Sequence, residues 1–240
     1  MSSKILPGKE NVGSEINSNI APFLYGTNIT NPRLPEKDKL GTTIIAVVYD
    51  GGVMLGADGR QASSYISNRV SDKIEQITKN IYALKCGTSA DSQFLLQNTR
   101  NYMNQFAVEY GDKAPVKVAS RILQQFMYQY KKYLSSSFIV AGVDNVEGAC
   151  IYTCSKGGTV AKREVAMNGS GSVYINGYVD KHFKSKMTKQ EAKEFIKEAI
   201  TLAIFRDNSS GGNIRIVDIT EDGVTREIFP FNTLKFPNMP

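Results

Sequence analysis

The sequence predicts an α+β fold in which two antiparallel sheets stack on each other and helices cover their outer faces. The predicted elements run in the order strands, two helices, strands, helices, strands, so the helices are segregated from the strands. Such segregation is typical of antiparallel sheets rather than of a parallel sheet with alternating helices. The first predicted strands are apolar on both faces, which indicates a sheet that is covered on both sides.

The composition is that of a globular protein and argues against several classes of function. The chain has 240 residues, of which 41% are apolar and 22% charged, enough for one sizeable core. The net charge is +6, but the lysines and arginines are scattered, so no basic patch predicts nucleic-acid binding. No apolar run approaches the ~18 residues of a membrane span, and the first residues lack the apolar core of a secretory signal.

The cysteines and the histidine narrow the possible chemistry. Cys86, Cys150 and Cys154 form no C-x-x-C pair, which is typical of free thiols in a reducing compartment, and we expect them to be buried. His182 is the single histidine and lies among lysines, so a histidine-based triad or histidine-rich metal site has to use it or is absent. Acid–base chemistry near neutral pH therefore needs another base, and nothing in the sequence indicates a metal or a cofactor.

The folded part of the chain is predicted to begin near residue 42. Residues 1–41 are polar apart from IAPFLYG at 20–26, so they form either a leader with one docking segment or an ordinary flexible tail. The segments TIIAVVY and VMLGAD follow, joined by Asp-Gly-Gly, and predict a β-hairpin. Residues 65–74 and 80–87 are the next predicted strands.

The middle of the chain contains two predicted helices followed by strands. Residues 88–111 begin with a capping-type Thr-Ser and end at a glycine, which predicts a helix. Residues 114–134 carry Pro115 at the start of a second predicted helix. Predicted strands follow at 136–144, 148–155 and 158–167.

The last third of the chain contains the clearest helix. Residues 169–183 are ambiguous by pattern and compatible with a short helix, whereas 188–207 begin with a capping box formed by Thr188 and Glu191. Residues 212–229 are predicted to close the fold as another hairpin. The apolar positions of the clear helix follow a period of 3.6, at Ala192, Phe195, Ile196, Ala199, Ile200 and Ala203.

Several polar residues lie inside or at the ends of these apolar segments. Buried charges have to be paired and buried hydroxyls need hydrogen-bond partners, so these residues are candidates for one shared site. Three unrelated surface turns would explain the same residues, and the Gly-Ser stretches do not match a phosphate-binding loop. The candidates are Asp58, Arg60, Asp72, Lys73, Ser170, Asp207, Ser209 and Ser210.

Together these stretches resemble the β-type subunits of the proteasome, which are N-terminal-nucleophile hydrolases. The resemblance extends from Gly41 to about Phe231 and is strongest to the β1 type, which has a caspase-like preference for acidic residues. It implies the N-terminal-nucleophile hydrolase fold, a four-layer αββα sandwich of two antiparallel sheets flanked by helices. The motifs that carry it, in the family's order, are GTTI, DGGVMLGADGR, NRVSDKI, GTSADSQ, GSGSVYINGYVD and RDNSSGG.

The resemblance implies that residues 1–41 are a propeptide and that 42–240 form one domain. Cleavage between Gly41 and Thr42 would make Thr42 the first residue of the mature chain and its nucleophile. A threonine hydroxyl needs a base, and a free α-amino group, with a reference pKa of about 7.7–8, can be that base. Before cleavage the nitrogen of Thr42 is an amide and cannot take the proton, so the precursor would be a zymogen.

The family's other catalytic roles fall on matching residues. The resemblance implies that Lys73 lies near Thr42 and lowers the proton affinity of the site, and that Asp58 holds Lys73 by a charge-assisted hydrogen bond. The supporting hydrogen-bond network falls on Ser170, Asp207 and Ser210. The implied oxyanion donor is the backbone N–H of Gly87.

Two motifs depart from the family pattern without removing a catalytic group. Gly59 stands in Asp58-Gly59-Arg60, where the family has Asp-Ser-Arg, and Asn208 follows Asp207, where the family has glycine. Asparagine tolerates a positive φ better than most residues, so we expect the second turn to survive.

The resemblance also implies a substrate pocket called S1. It holds the side chain of P1, the substrate residue just before the cleaved bond. Strand alternation places Ile81, Ala83, Lys85 and Gly87 on one face. Lys85 then points toward P1 and matches a basic residue, usually arginine, at the base of the β1 pocket; lysine keeps the charge but loses the bidentate fork. Glu75 would blunt the acidic preference by neutralising Lys85. The other family positions at or near the pocket are Gln61, Ser71, Ser89 and Gln93.

Members of this family work in stacked heptameric rings of α-type and β-type subunits, in the cytoplasm and nucleus, and degrade unfolded polypeptides. The resemblance therefore implies a threonine endopeptidase with other proteasome subunits as partners, and neither a nucleic acid nor a membrane. One alternative is a non-catalytic structural β subunit that retains its leader, against which the presence of Thr42, Asp58 and Lys73 argues. Another is an amidase of the same fold that acts on small molecules, or a simpler bacterial-type assembly.

Overall fold

The computed structural model describes residues 41–62, 65–110 and 114–237. The predicted docking segment at 20–26 and the rest of residues 1–40 lie outside the described residues. Within the described ranges, the chain forms two five-stranded antiparallel sheets, a two-stranded pair and four α-helices. The α+β prediction is therefore confirmed.

Sheet I is built from both predicted hairpins and one strand from the middle of the chain. Its first hairpin pairs from Ile44 opposite Ala57 to Tyr49 opposite Gly52, and Gly51 in the turn has a φ of +113°. Its strands are β1 (Ile44–Tyr49), β2 (Gly52–Ala57), β10 (Val165–Asn168), β11 (Ile214–Thr220) and β12 (Gly223–Phe229). They lie in the spatial order β10–β1–β2–β11–β12.

Sheet II is an antiparallel meander that follows the chain. Its strands are β5 (Ile74–Thr78), β6 (Ile81–Gly87), β7 (Ser136–Asp144), β8 (Gly148–Ser155) and β9 (Thr159–Arg163), and they lie in this order. A short pair, β3 (Gln61–Ala62) and β4 (Ile66–Asn68), lies outside both sheets.

The helices cover the outer faces of the two sheets. Helices α1 (Ser89–Tyr110) and α2 (Val116–Gln129) pack on sheet II, and α3 (Ser172–His182) and α4 (Lys189–Arg206) pack on sheet I. A 3-10 turn, Phe231–Thr233, follows β12. Among the described helices, none combines the length and the apolar character needed to cross a bilayer.

Three apolar layers confirm the predicted stacking of two covered sheets. One cluster lies between sheet II and its helices, a second lies between sheet I and its helices, and a third fills the space between the sheets. Along β6, Ile81 and Ala83 enter the helix-side cluster, while Tyr82 and Leu84 enter the middle one. The predicted alternation of this strand is therefore confirmed.

Most predicted elements are present with boundaries shifted by a few residues. The capping box at Thr188 and Glu191 is formed in full, and the ambiguous segment 169–183 contains α3. The second helix ends at Gln129, five residues before its predicted end, because the backbone passes into turns, with Tyr133 N–H bonding Tyr130 O at 2.9 Å.

Two predicted strands are not continuous strands in the structure. The predicted strand 158–167 is wrong as a single strand, because it breaks at Glu164 into β9 in sheet II and β10 in sheet I. The predicted strand 65–74 is wrong over most of its length: only Ile66–Asn68 (β4) and Ile74, the first residue of β5, are strand, and β5 continues to Thr78 beyond the predicted segment. Between β4 and β5, Ser71 N–H donates to Gly59 O at 2.9 Å, and Lys73 O accepts from Lys85 N–H at 2.9 Å. These backbone groups of Ser71 and Lys73 therefore do not belong to one continuous strand.

Candidate active site

One end of sheet I gathers four separate parts of the chain. The antiparallel register places Ile44 beside both Ala57 and Asn168, so Thr42 and Thr43, just before β1, lie near the residues that follow β2 and β10. Strand β11 begins beside the same end of β2, which brings the loop 207–212 to the site. The predicted site residues of sheet I are therefore neighbours because of strand register.

Asp58 is a fully buried carboxylate with hydrogen-bond donors on both oxygens. Its Oδ1 accepts from Lys73 Nζ at 2.5 Å and from Thr43 N–H at 2.8 Å. Its Oδ2 accepts from Gly211 N–H at 3.1 Å and from Arg60 N–H at 3.2 Å. These donors satisfy the ionised form, which would otherwise be too costly to bury.

Lys73 reaches this carboxylate from the start of β5, so the site joins sheet I to sheet II. The lysine is 4% exposed. Burial lowers the pKa of its ammonium below the usual lysine range, while the charge of Asp58 and its hydrogen bond oppose that shift. Lys73 Nζ also lies 3.4 Å from the carbonyl oxygen of Gly41. The buried cation is thus directed at both a carboxylate and a peptide carbonyl.

The peptide bond between Gly41 and Thr42 lies at the centre of these contacts. The hydroxyl of Thr42 donates to Gly41 O at 2.6 Å, and Gly41 N–H donates to Ala62 O at 3.1 Å. Both residues are buried. A Cβ added to Gly41 would lie 2.1 Å from the carbonyl oxygen of Ser209, so the space around this carbonyl admits only glycine.

A second carboxylate, Asp207, organises the hydroxyls on the other side of Thr42. The backbone N–H of Thr42 donates to Ser170 Oγ at 3.1 Å. Ser170 and Ser210 each donate their hydroxyl proton to Asp207 Oδ2 at 2.7 Å. Asp207 is therefore hydrogen-bonded to both serines of the predicted supporting network, beside the nitrogen of Thr42.

Thr43 belongs to this site, although no role was predicted for it from the sequence. Its side chain is fully buried and lies 2.7 Å from Ser210 Oγ. Because Ser210 gives its only proton to Asp207, the hydroxyl of Thr43 has to be the donor of this bond. Thr43 therefore links the Asp58 and Asp207 groups, through its N–H and its hydroxyl respectively. The doubled threonine in GTTI was the available signal.

A small cleft opens beside Thr42 and contains most of the predicted pocket residues. Gly87 lines it, with a φ of +107° and only 2.3 Å between a hypothetical Cβ and Ser135 O, so glycine is needed there. Glu75 and Gln93 are not in its wall: Gln93 is exposed on α1, and Glu75 lines a neighbouring cleft. The predicted residues in the wall are Gln61, Ser71, Lys73, Lys85, Gly87 and Ser89, together with Ser92, which was not predicted.

The two departures from the family motifs are accommodated locally. Gly59 is packed against backbone, since an added Cβ would lie 2.9 Å from Asn213 O. Arg60 donates from Nη1 to Asn208 O at 3.0 Å. Among the described residues, the only non-glycine residue with a positive φ is Lys186, so Asn208 does not need the conformation that was anticipated; Gly212, with a φ of +75°, takes it.

The histidine and the cysteines lie outside these hydrogen bonds. His182 is exposed, its Nδ1 lies 2.9 Å from Tyr178 O, and its ring stacks on Tyr178. All three cysteines are free thiols, and burial raises the pKa of Cys150 and Cys154 to about 12. In the described part of the chain, no group of three or more His, Cys, Asp or Glu residues could hold a metal ion.

Comparisons with known proteins agree on one family. The family model described as "Proteasome subunit" matches residues 38–219. The chain is 43% identical over 203 residues to proteasome subunit beta type-6 of Arabidopsis thaliana, covering 84% of this chain and 87% of that protein. It is 45% identical over 196 residues to the Dictyostelium discoideum protein of the same name, covering 81% and 92%. It is 39% identical over 208 residues to proteasome subunit beta type-1 of Saccharomyces cerevisiae, covering 86% and 96%.

Proposed function

Because this chain belongs to the proteasome β-type subunit family, we propose that it is a threonine endopeptidase subunit of the proteasome core, with Thr42 as nucleophile. The observation that carries the proposal is the set of buried contacts on the Gly41–Thr42 peptide. The hydroxyl of Thr42 lies 2.6 Å from Gly41 O, and Lys73 Nζ lies 3.4 Å from the same oxygen. A nucleophile, a carbonyl and a cation thus meet at one peptide bond that the fold has buried.

The first reaction of the site is removal of its own leader. Thr42 Oγ1 attacks the carbonyl carbon of Gly41, and negative charge develops on an oxygen that faces the Lys73 ammonium. The C–N bond breaks, the nitrogen of Thr42 takes up the hydroxyl proton, and an ester joins Gly41 to Thr42. Water then hydrolyses this ester, which releases residues 1–41 with a terminal carboxylate and leaves Thr42 with a free amine and a free hydroxyl.

The freed amine is the base that the chain otherwise lacks. The nitrogen of Thr42 lies 3.1 Å from Ser170 Oγ, and Ser170 bonds Asp207, so the amine is held by a network already in place. The amine takes the proton of the hydroxyl as Thr42 attacks a substrate carbonyl, and it returns the proton to the leaving amine. The Gly87 N–H is the proposed donor to the oxyanion of the substrate.

The pocket beside Thr42 favours acidic P1 residues, with weaker discrimination than an arginine-based pocket. Lys85 supplies a cation in the wall of the cleft. Its ammonium forms an ion pair with Glu75, so the positive charge available to a P1 carboxylate is already partly neutralised. Lysine also lacks the bidentate fork that arginine offers to a carboxylate. Peptides ending in Glu or Asp should therefore be cleaved faster than those ending in Leu or Arg.

The chain acts within an assembly rather than alone. As a family member it assembles with other proteasome subunits, and we propose stacked heptameric rings with α-type and other β-type neighbours, in the cytoplasm and nucleus. Its substrates are unfolded polypeptides, which can thread into such rings. We expect the isolated chain to be inactive.

The deciding experiment is intact-mass analysis of this subunit in assembled core particles, beside a Thr42→Ala variant. Loss of the first 41 residues from the unmodified chain, retention of the leader by Thr42→Ala, and loss of peptide hydrolysis in the variant are the expected results. An unmodified chain that keeps its leader in mature particles would instead identify a non-catalytic structural subunit. A Thr42→Ala chain that still matures without partners would exclude self-cleavage.

A further inference from the structure

The Lys85 side chain shares its counter-charge with an arginine that has no role in the site described above. Glu75 Oε1 accepts a hydrogen bond from Lys85 Nζ, and Glu75 Oε2 lies 3.4 Å from Arg100 Nη2. The side chains of Lys85, Glu75 and Arg100 are 13%, 26% and 30% exposed, so their charges are partly shielded from water. Two cations around one carboxylate leave one net positive charge, whereas the Lys85–Glu75 pair alone is neutral.

Arg100 is held in place by groups other than Glu75. It projects from α1 toward the edge strand of sheet II, where its Nε and Nη2 donate to Gln76 O at 3.0 and 2.8 Å. Its Nη1 donates to Gln97 Oε1 at 3.0 Å. The guanidinium is therefore a positive charge that is held in place by contacts independent of Glu75.

The three charges lie in sequence from the Thr42 cleft outward. Lys85 lines the cleft beside Thr42, whereas Glu75 and Arg100 line the neighbouring cleft. Glu75 thus approaches Lys85 from the side away from Thr42. An ammonium has three donors, so Lys85 can bond Glu75 and still present a proton to a carboxylate in the cleft.

We propose that Arg100 is a specificity-determining residue, which sustains the preference for acidic P1 side chains by drawing the charge of Glu75 away from Lys85. It acts through Glu75 and Lys85 rather than by touching the substrate. Without Arg100, the carboxylate of Glu75 is paired with Lys85 alone, and an incoming P1 carboxylate approaches a neutral ion pair. With Arg100, the group as a whole is positive and attracts that carboxylate. This inference rests on the proposed peptidase function.

The test compares two peptides in assembled core particles. The ratio of kcat/KM for a fluorogenic peptide ending in Glu to that for one ending in Leu is measured, after subtracting the activity of particles that carry Thr42→Ala. Arg100→Gln removes the charge and should lower this ratio about threefold to tenfold, the order expected for a unit charge roughly 10 Å away near a protein surface once salt screens part of its field. Cleavage after Leu should stay unchanged, since the contacts of Arg100 are with Glu75, Gln76 and Gln97 and not with Thr42 or Lys73.

Further variants separate charge from structure. Arg100→Lys keeps the charge and should hold the ratio near that of the unmodified particles. Glu75→Gln should raise the ratio, because Lys85 loses its counter-charge. Arg121→Gln, which changes an exposed arginine on α2, is the matched control and should have no effect.

The inference is overturned if Arg100→Gln leaves the ratio unchanged, or if it slows both peptides equally, which would indicate a structural role. A lower ratio in Glu75→Gln would overturn it as well. Failure of the proposed function looks different: the unmodified particles would then show no Thr42-dependent cleavage of either peptide.

Discussion

Replacing Lys73 by methionine tests the chemistry proposed for the Gly41–Thr42 bond most directly. Methionine fills a site that is only 4% exposed, but it carries no charge. The change removes the contacts of Nζ with Asp58 Oδ1 at 2.5 Å and with Gly41 O at 3.4 Å. Asp58 keeps its backbone N–H donors, so its carboxylate still accepts hydrogen bonds on both oxygens. The chain should therefore still fold and assemble.

The contact with the Gly41 carbonyl sets the expected magnitude. Removing one donor from an oxygen on which negative charge develops costs about 2.7–4 kcal/mol of transition-state stabilisation. The distance of 3.4 Å is long for a hydrogen bond, so the lower end of that range applies. A loss of about 2.7 kcal/mol slows leader removal about a hundredfold, since each 1.36 kcal/mol is about a factor of ten in rate.

The assay follows the mass of the newly made subunit as core particles assemble. The rate at which the first 41 residues are lost is compared between unmodified chain, Lys73→Met, and Lys181→Met, which changes an exposed lysine at the end of α3. The control should mature normally. If Lys73→Met is incorporated into particles and loses its leader as fast as the control, the role assigned to the lysine charge is refuted.

Three further predictions use other contacts of the site. Burial lowers the pKa of Lys73, and only its ammonium form offers a positive charge to the oxygen of Gly41, so leader removal should slow as the pH rises through that lowered pKa; a rate that keeps rising with pH would instead indicate that the neutral amine acts. Gly41→Ala should slow leader removal in the same mass assay, because the added Cβ would lie 2.1 Å from Ser209 O; unimpaired maturation would contradict this close packing. Thr43→Val, which loses the hydroxyl that donates to Ser210, should lower peptide turnover about fivefold, the equivalent of about 1 kcal/mol, while Thr43→Ser should retain it; a loss in Thr43→Ser but not in Thr43→Val would mean that the methyl group matters instead.

The sequence by itself determined the fold class and the positions of most elements, because the signals for these are local. The Asp-Gly-Gly turn, the strand alternation in 80–87 and the capping box at Thr188 each depend on residues a few positions apart, and each is present in the structure. The doubled threonine at the start of the domain was visible too. Its second member had no assigned role, because a hydroxyl that bonds a residue 167 positions away leaves no local pattern.

The tertiary structure alone decided which sheet each segment joins and how the charges are paired. Residues 158–167 have one continuous strand pattern, yet they divide at Glu164, because β9 finds its partner in sheet II and β10 finds its partner in sheet I. The sequence raised the possibility that Glu75 neutralises Lys85, but not that Arg100 approaches the same carboxylate from α1. Strand pairing and ion pairing between distant segments depend on packing and register, which no short stretch of sequence specifies.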